Sequence, residues 1–299
     1  MASVDVARRP RLGLLQAGVS LAALAGIVWW ATRQQAPHIS LDAHAVGDLA
    51  AAIGLYSVAT LLRAERWHRI LVRAGLDRGR GETLRLTLVG YMGNNTLPAR
   101  AGDLMRVMLL RAPRRSALGS VVAERLLDVG ALVLVFGVVV AARGAALGPV
   151  PYVAAALVLA AGAAGLFARL RVLERVRDWI RPVAGSTKQL LSAYGAALLL
   201  LSVALWLVEA LVYLVVGDAV GIELGATGAL YVMALTNLSA VVPAAPGYVG
   251  TFDAAVLLAL RSLHQPALGY LLVLRFVLFV PVTVVGFAIF LGRYARSRP

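Results

Sequence analysis

The sequence predicts an all-α polytopic membrane protein, with about six transmembrane helices and two re-entrant helical hairpins arranged as an inverted repeat. Three observations lead there. Of the 299 residues, 60% are hydrophobic and 15% charged, with a mean hydropathy of +0.81, against about 45–50% and about 25% in soluble domains. Apolar runs of bilayer-crossing length recur from end to end. The basic residues gather in alternate connections between those runs. The same composition excludes a disordered chain, a coiled coil and, with no cysteine, a disulfide-built secreted domain. The chain reads as a single integral membrane domain over residues 1–299.

Six stretches are long and apolar enough to cross a hydrocarbon core of about 30 Å: residues 12–32, 46–63, 118–142, 150–168, 190–216 and 268–291. The first follows arginines, as a signal peptide does. It ends in Trp29 and Trp30 without a small-residue cleavage pattern, so it reads as an anchored helix with its tryptophans at the interface. Residues 84–112 and 225–261 are apolar but interrupted, the first at Pro98 and Gly102, the second at Pro243, Pro246, Gly247 and Gly250. Each reads as a hairpin that enters the membrane partway and turns back. Residues 169–188 place Leu170, Leu173, Val176, Trp179 and Ile180 at helical spacing among arginines, the pattern of an interfacial amphipathic helix, and no separate soluble domain stands out.

Of the 29 Lys and Arg residues, 24 fall in the N-tail, residues 63–85, 99–117 and 169–188, and the C-tail, and 3 in the connections on the opposite side. Arg125 and Arg275 lie inside apolar segments. Positive residues collect on the cytoplasmic side, so both termini are expected there, in the bacterial cytoplasmic membrane. The net charge of +14 and pI near 11.2 follow from this topology and from attraction to anionic headgroups, and imply no nucleic-acid partner. Four scattered histidines offer no metal cluster, and there is no P-loop. No metal, cofactor or ATP hydrolysis is expected, nor a catalytic nucleophile with its base.

The order helix, broken hairpin, helix occurs over residues 46–142 and again over 190–291, with opposite orientation expected. In both breaks a proline precedes a glycine by four, Pro98 to Gly102 and Pro246 to Gly250, and an acid follows, Asp103 and Asp253. Inverted repeats with discontinuous helices are a transporter plan whose binding site lies where the breaks meet. Unpaired backbone at a break needs protein or a polar cavity, and a half-helix N-terminus suits an anion such as a phosphate. An intramembrane arginine costs about 2.5–3.5 kcal/mol on insertion scales and needs a partner. Arg125 has Glu124 and Asp128 close by, and Arg275 has no acid on its own helix, leaving Glu209 or a ligand anion.

The expected site therefore has Arg125 and Arg275 flanking an anionic headgroup, with Glu124, Asp128, Glu209, Asn94, Asn95, Arg100, Asn237, Gly247, Gly250 and Asp253 around it. Blander readings stand beside this one. The breaks could be ordinary kinks, the asparagines and Thr236 interhelical hydrogen-bond glue, and Arg125 with its neighbours a structural ion cluster. Glu209 could carry a proton or be a static partner. Arg63, Arg66, Arg69, Arg73, Arg100 and Arg106 read as positive-inside loop residues, although Arg100, beside Pro98, is placed to meet a phosphate at the cytoplasmic mouth.

The element Arg63-Ala64-Glu65-Arg66-Trp67, the stretch Gly93-Asn94-Asn95 to Pro98 and Gly102-Asp103 followed by Arg106, the element Glu124-Arg125 to Asp128, and Pro243 through Asp253 together resemble the lysylphosphatidylglycerol synthase transmembrane family of flippase-like proteins. This family includes the membrane part of the multiple peptide resistance factor. The resemblance covers residues 12 to 292. It implies translocation of an anionic phospholipid or aminoacylated phosphatidylglycerol between leaflets, and not the synthase reaction, which a soluble C-terminal domain performs in bifunctional members. A separately encoded lipid-modifying enzyme is then an expected partner, and a homo-oligomer is compatible with the sequence. Where family members often have Pro-Gly-Gly, this chain has Pro246-Gly247-Tyr248. The other functions weighed are a carrier of polyprenyl phosphate or polyprenyl-linked sugars, an intramembrane enzyme on lipid phosphates, and a non-transporting partner subunit.

Overall fold

The structure is a computed structural model and describes residues 42–97, 100–143, 192–240 and 246–295. The helices expected over 12–32 and 150–168 and the amphipathic segment 169–188 lie outside these residues. Every regular element among the described residues is helical: α1 Ala43–Arg73, α2 Arg80–Thr96, α3 Ala101–Leu109, α4 Arg114–Arg143, α5 Ala193–Ala219, α6 Gly225–Ser239, α7 Thr251–Ser262 and α8 Leu268–Ile289. A 3-10 turn at Pro246–Tyr248 precedes α7, and a π turn at Phe290–Ala295 follows α8.

Four of these, α1, α4, α5 and α8, are long and apolar enough to cross a membrane. The other four are short, with 17, 9, 15 and 12 residues in α2, α3, α6 and α7. At about 1.5 Å per residue each falls short of a hydrocarbon core of about 30 Å. The interruptions come where the glycines and prolines were read. Arg100 at the start of α3 is left-handed (φ 56°), and Gly250 at the start of α7 has φ 94°.

α1 corrects the sequence reading. Residues from 63 onward were assigned to a cytoplasmic loop, but the helix runs on to Arg73 and is 31 residues long, about 46 Å. Its buried face continues through Arg63, Ala64, Arg66, Trp67, Ile70 and Leu71. A hydropathy reading penalises arginine whether or not it is paired, and these arginines are paired inside the protein.

Several landmarks of the two halves recur at an offset of 150 residues, although α2 and α6 start 145 residues apart and α4 and α8 start 154 apart. Asp42 caps α1 by accepting from the Ala45 N–H at 2.8 Å, and Ser192 caps α5 by accepting from the Gly195 N–H at 3.4 Å. Helices α1 and α5 start at Ala43 and Ala193, and α3 and α7 at Ala101 and Thr251. Asp103 and Arg125 in the first half answer to Asp253 and Arg275 in the second, each pair 22 residues apart. Aligning the prolines and glycines, as the sequence pattern suggested, is therefore off by two residues: the acid in the first turn after the break sets the register. Packing crosses between the halves, with α1 against α5, α8 against α2 and α4 against α6.

The first break depends on a close crossing of α2 and α3. A Cβ on Gly102 would strike the Gly90 carbonyl and the Asn94 amide, both rigid backbone, and one on Gly93 would meet the Gly102 Cα. Gly102→Ala is expected to destabilise the fold by about 1–3 kcal/mol or more through overpacking, read as a lower thermal unfolding midpoint in detergent. Gly47, with nothing within reach of an added Cβ, should accept alanine without loss.

Candidate functional site

The two breaks meet at one polar cavity. Asn94, Asn95 and Arg100 approach it from the first break, Asn237, Ala240 and Tyr248 from the second, and it encloses about 110 Å³. Arg63, Glu209, Arg125 and Asp128 also line it, with Tyr56, Tyr91, Trp206 and Phe252 as aromatic wall.

Each break is tied down by its own acid. In the first half, Asn94 donates its side-chain amide to Asp103 Oδ1 (3.1 Å), and its Oδ1 accepts from the Asp103 N–H (3.1 Å), satisfying one of the orphan donors of the α3 N-terminus. Arg125 then grips Asp103, donating to Oδ2 at 2.8 Å and Oδ1 at 3.0 Å. In the second half, Asp253 accepts from the Gly250 N–H at 2.9 Å and pairs with Arg275, which also donates to the Gly247 carbonyl at 3.2 Å.

From the cavity wall inward runs a buried ion network. Arg63 pairs with Glu209, which also accepts from Asn237 Nδ2 at 3.1 Å. Arg66 reaches Asp128 at 2.7 Å and Glu124 at 3.6 Å. Arg106 reaches Glu124 at 2.6 Å and Asp103 at 3.4 Å. The five carboxylates Asp103, Glu124, Asp128, Glu209 and Asp253 thus compensate the five guanidiniums of Arg63, Arg66, Arg106, Arg125 and Arg275. Charges withdrawn from water to this degree are tolerated only when paired.

Arg100 differs. It lines the cavity, and among the described residues no carboxylate comes within ion-pair distance of it. Its Nε donates to the Tyr248 hydroxyl at 3.1 Å and its guanidinium lies 5.3 Å from the centre of that ring. One positive charge is left facing a polar space between the two breaks.

The sequence profile of the lysylphosphatidylglycerol synthase transmembrane region matches residues 15–286. The chain belongs to this family. It is also similar to the glycosyltransferase AglD of Haloferax volcanii, 26% identical over 270 residues that cover 72% of this chain and 43% of that protein. The chain thus spans less than half the length of the curated relative it matches. No solved structure matches it significantly.

Of the residues expected at the site, Asn94, Asn95, Arg100, Arg125, Asp128, Glu209 and Asn237 line the cavity together. Glu124, Gly247, Gly250, Asp253 and Arg275 do not line it and support it from behind. Arg125 pairs with Asp103 at 2.8 Å and, of the two acids expected beside it, with Asp128 at 3.6 Å, while Glu124 serves Arg106 and Arg66. One partner assignment is corrected. Arg275 pairs with Asp253 on α7 and not with Glu209, whose partner is Arg63. Asn95 does act as glue, donating to Thr283 of α8 at 2.9 Å.

Arg63, Arg66 and Arg106 were read as loop cations and stand instead at the centre of the network. One family element, Arg63 through Trp67, supplies two of them. The third, Arg106, has its guanidinium 4.5 Å from the Trp67 ring centre, while the Trp67 indole donates to Ser120 Oγ at 3.1 Å. The signal lay in the spacing: Arg63, Trp67 and Ile70 continue one helical face.

Proposed function

We propose that this member of the lysylphosphatidylglycerol synthase transmembrane family is a lipid translocase. It moves an anionic phospholipid or aminoacylated phosphatidylglycerol between leaflets of the bacterial cytoplasmic membrane, with both termini cytoplasmic and without enzymatic chemistry of its own. The observation that carries this reading is Arg100: one uncompensated guanidinium in a polar cavity where two helix breaks meet. A phosphodiester carries the single negative charge that would balance it, and charge-assisted bonds from arginine to phosphate are strong.

The short helix pairs α2–α3 and α6–α7 are re-entrant hairpins in this reading, and the 150-residue recurrence is an inverted repeat. Rocking one half against the other would expose the cavity to each leaflet in turn. A second reading has one observation in its favour. A relative bears the name glycosyltransferase, and a carrier of polyprenyl phosphate or polyprenyl-linked sugar would present the same phosphate to Arg100.

The experiment is headgroup-resolved translocation in proteoliposomes with fluorescent phosphatidylglycerol, lysylphosphatidylglycerol, phosphatidylethanolamine and a polyprenyl phosphate. The expected result is faster movement of the phosphatidylglycerol class than of phosphatidylethanolamine. Movement confined to polyprenyl phosphate would favour the second reading, and no movement by folded protein would contradict both.

A further inference from the structure

The polar cavity adjoins an apolar slot between α1, α2 and α8. Tyr56 and Val282 line both spaces. Beyond them the slot encloses about 230 Å³ between Leu61 of α1, Leu88 of α2, and Pro281 and Val285 of α8, and no charged residue lines it. Its two aliphatic hydroxyls are turned away from any guest: Ser57 donates to the Ile53 carbonyl and Thr60 to the Tyr56 carbonyl, both at 2.8 Å. Pro281 brings no backbone N–H. The slot is open to the outside, since Leu61 and Val285 are 52% and 46% exposed.

The corresponding face of the other half differs at one of the two open positions. At the 150-residue offset Val285, 46% exposed, becomes Val135, 7% exposed, whereas Leu61 becomes Leu211, 46% exposed. The hollow between α4 and α5, lined by Leu126, Leu127, Gly130, Gly195 and Leu199, shares no residue with the polar cavity. Polar cavity and apolar slot thus meet at Tyr56 and Val282, between α1 and α8.

We infer that this slot receives an acyl chain of the phospholipid whose headgroup occupies the polar cavity; the inference rests on the headgroup reading above. A soluble phosphate needs the cavity alone. A lipid phosphate held at Arg100 needs an apolar path from that point to the bilayer, because each methylene drawn into a polar space would cost about 0.8 kcal/mol. Tyr56 suits the junction, with an apolar ring and a polar tip, and its ring centre lies 5.9 Å from the Arg63 guanidinium. The chain thus selects an amphiphile over a free anion by shape.

The test uses the unmodified protein in nanodiscs with a phosphatidylglycerol carrying a diazirine on its acyl chain, followed by mapping of the labelled peptides. Label is expected on Leu61, Leu88 and Val285 at least fivefold above that on the outer-face residues Val138, Leu200 and Val284. Val285→Trp, which fills the slot, should slow phosphatidylglycerol translocation at least tenfold while glycerol 1-phosphate binding stays within twofold. Leu61→Phe serves as the second, milder filling. Label spread by exposure alone, with both filled variants translocating at the unmodified rate, would overturn the slot and leave glycerol 1-phosphate binding standing. Absence of glycerol 1-phosphate binding to the unmodified protein would overturn the headgroup reading and the slot with it.

Discussion

Glu124→Gln is expected to lower the stability of the folded protein by about 3–5 kcal/mol, the usual cost of removing one partner from a buried ion pair. Glu124 is 1% exposed, and its two oxygens face Arg106 at 2.6 Å and Arg66 at 3.6 Å, both of them fully buried. Glutamine keeps the volume and removes the charge, leaving one guanidinium more than the four remaining carboxylates can compensate. Asp103, 3.4 Å from Arg106, already serves Arg125, and Asp128 already serves Arg66. Replacing Arg106 as well, in Arg106→Met with Glu124→Gln, should recover part of the loss, because the excess charge leaves with its partner. Unfolding in mixed micelles reads both variants. Equal stability of Glu124→Gln and the unmodified protein would mean that the network is looser than this geometry requires.

Arg100→Gln should do the reverse, sparing stability and removing recognition. No carboxylate is paired with Arg100, and Asp103, which feels its charge, keeps Arg125 and Arg106, so the loss of Arg100 strands no buried charge. Its present partner, Tyr248, keeps ring contact with Phe279 at 6.4 Å. A hydrogen bond to a charged group contributes about 1.5–3 kcal/mol, so glycerol 1-phosphate affinity should fall about ten- to hundredfold. Isothermal titration in detergent measures this. The unfolding midpoint should shift by far less than for Glu124→Gln.

These two substitutions also mark what the sequence could and could not convey. Breakers act locally, so Pro98 with Gly102 and Pro246 with Gly250 announced the two interruptions, and Asn94, Arg100 and Glu209 could be placed near them. Ion pairs form across helices, and nothing local records the partner. Arg63 meets Glu209 146 residues away, and Arg106 meets Glu124 at 18. Proximity in sequence offered Arg125 either Glu124 or Asp128; Asp128, three residues on, does reach it at 3.6 Å, whereas the adjacent Glu124 points in a different direction. Counting arginines as cytoplasmic placed Arg63, Arg66 and Arg106 in water, because a positive-inside count has no way to see a carboxylate brought opposite by the fold. The aromatic wall of Tyr56, Tyr91 and Trp206 carried no sequence signal beyond that of ordinary core residues.

The central claim is that an unpaired Arg100 between two helix breaks recognises a lipid phosphate, and the most direct measurement is a ratio. Translocation of phosphatidylglycerol relative to phosphatidylethanolamine is compared in proteoliposomes holding the unmodified protein, Arg100→Gln, and Arg115→Gln as an exposed-arginine control. A ratio well above one is expected for the unmodified protein and for Arg115→Gln, and at least a tenfold fall in phosphatidylglycerol movement for folded Arg100→Gln. A folded Arg100→Gln protein that moves phosphatidylglycerol at the unmodified rate would contradict the claim.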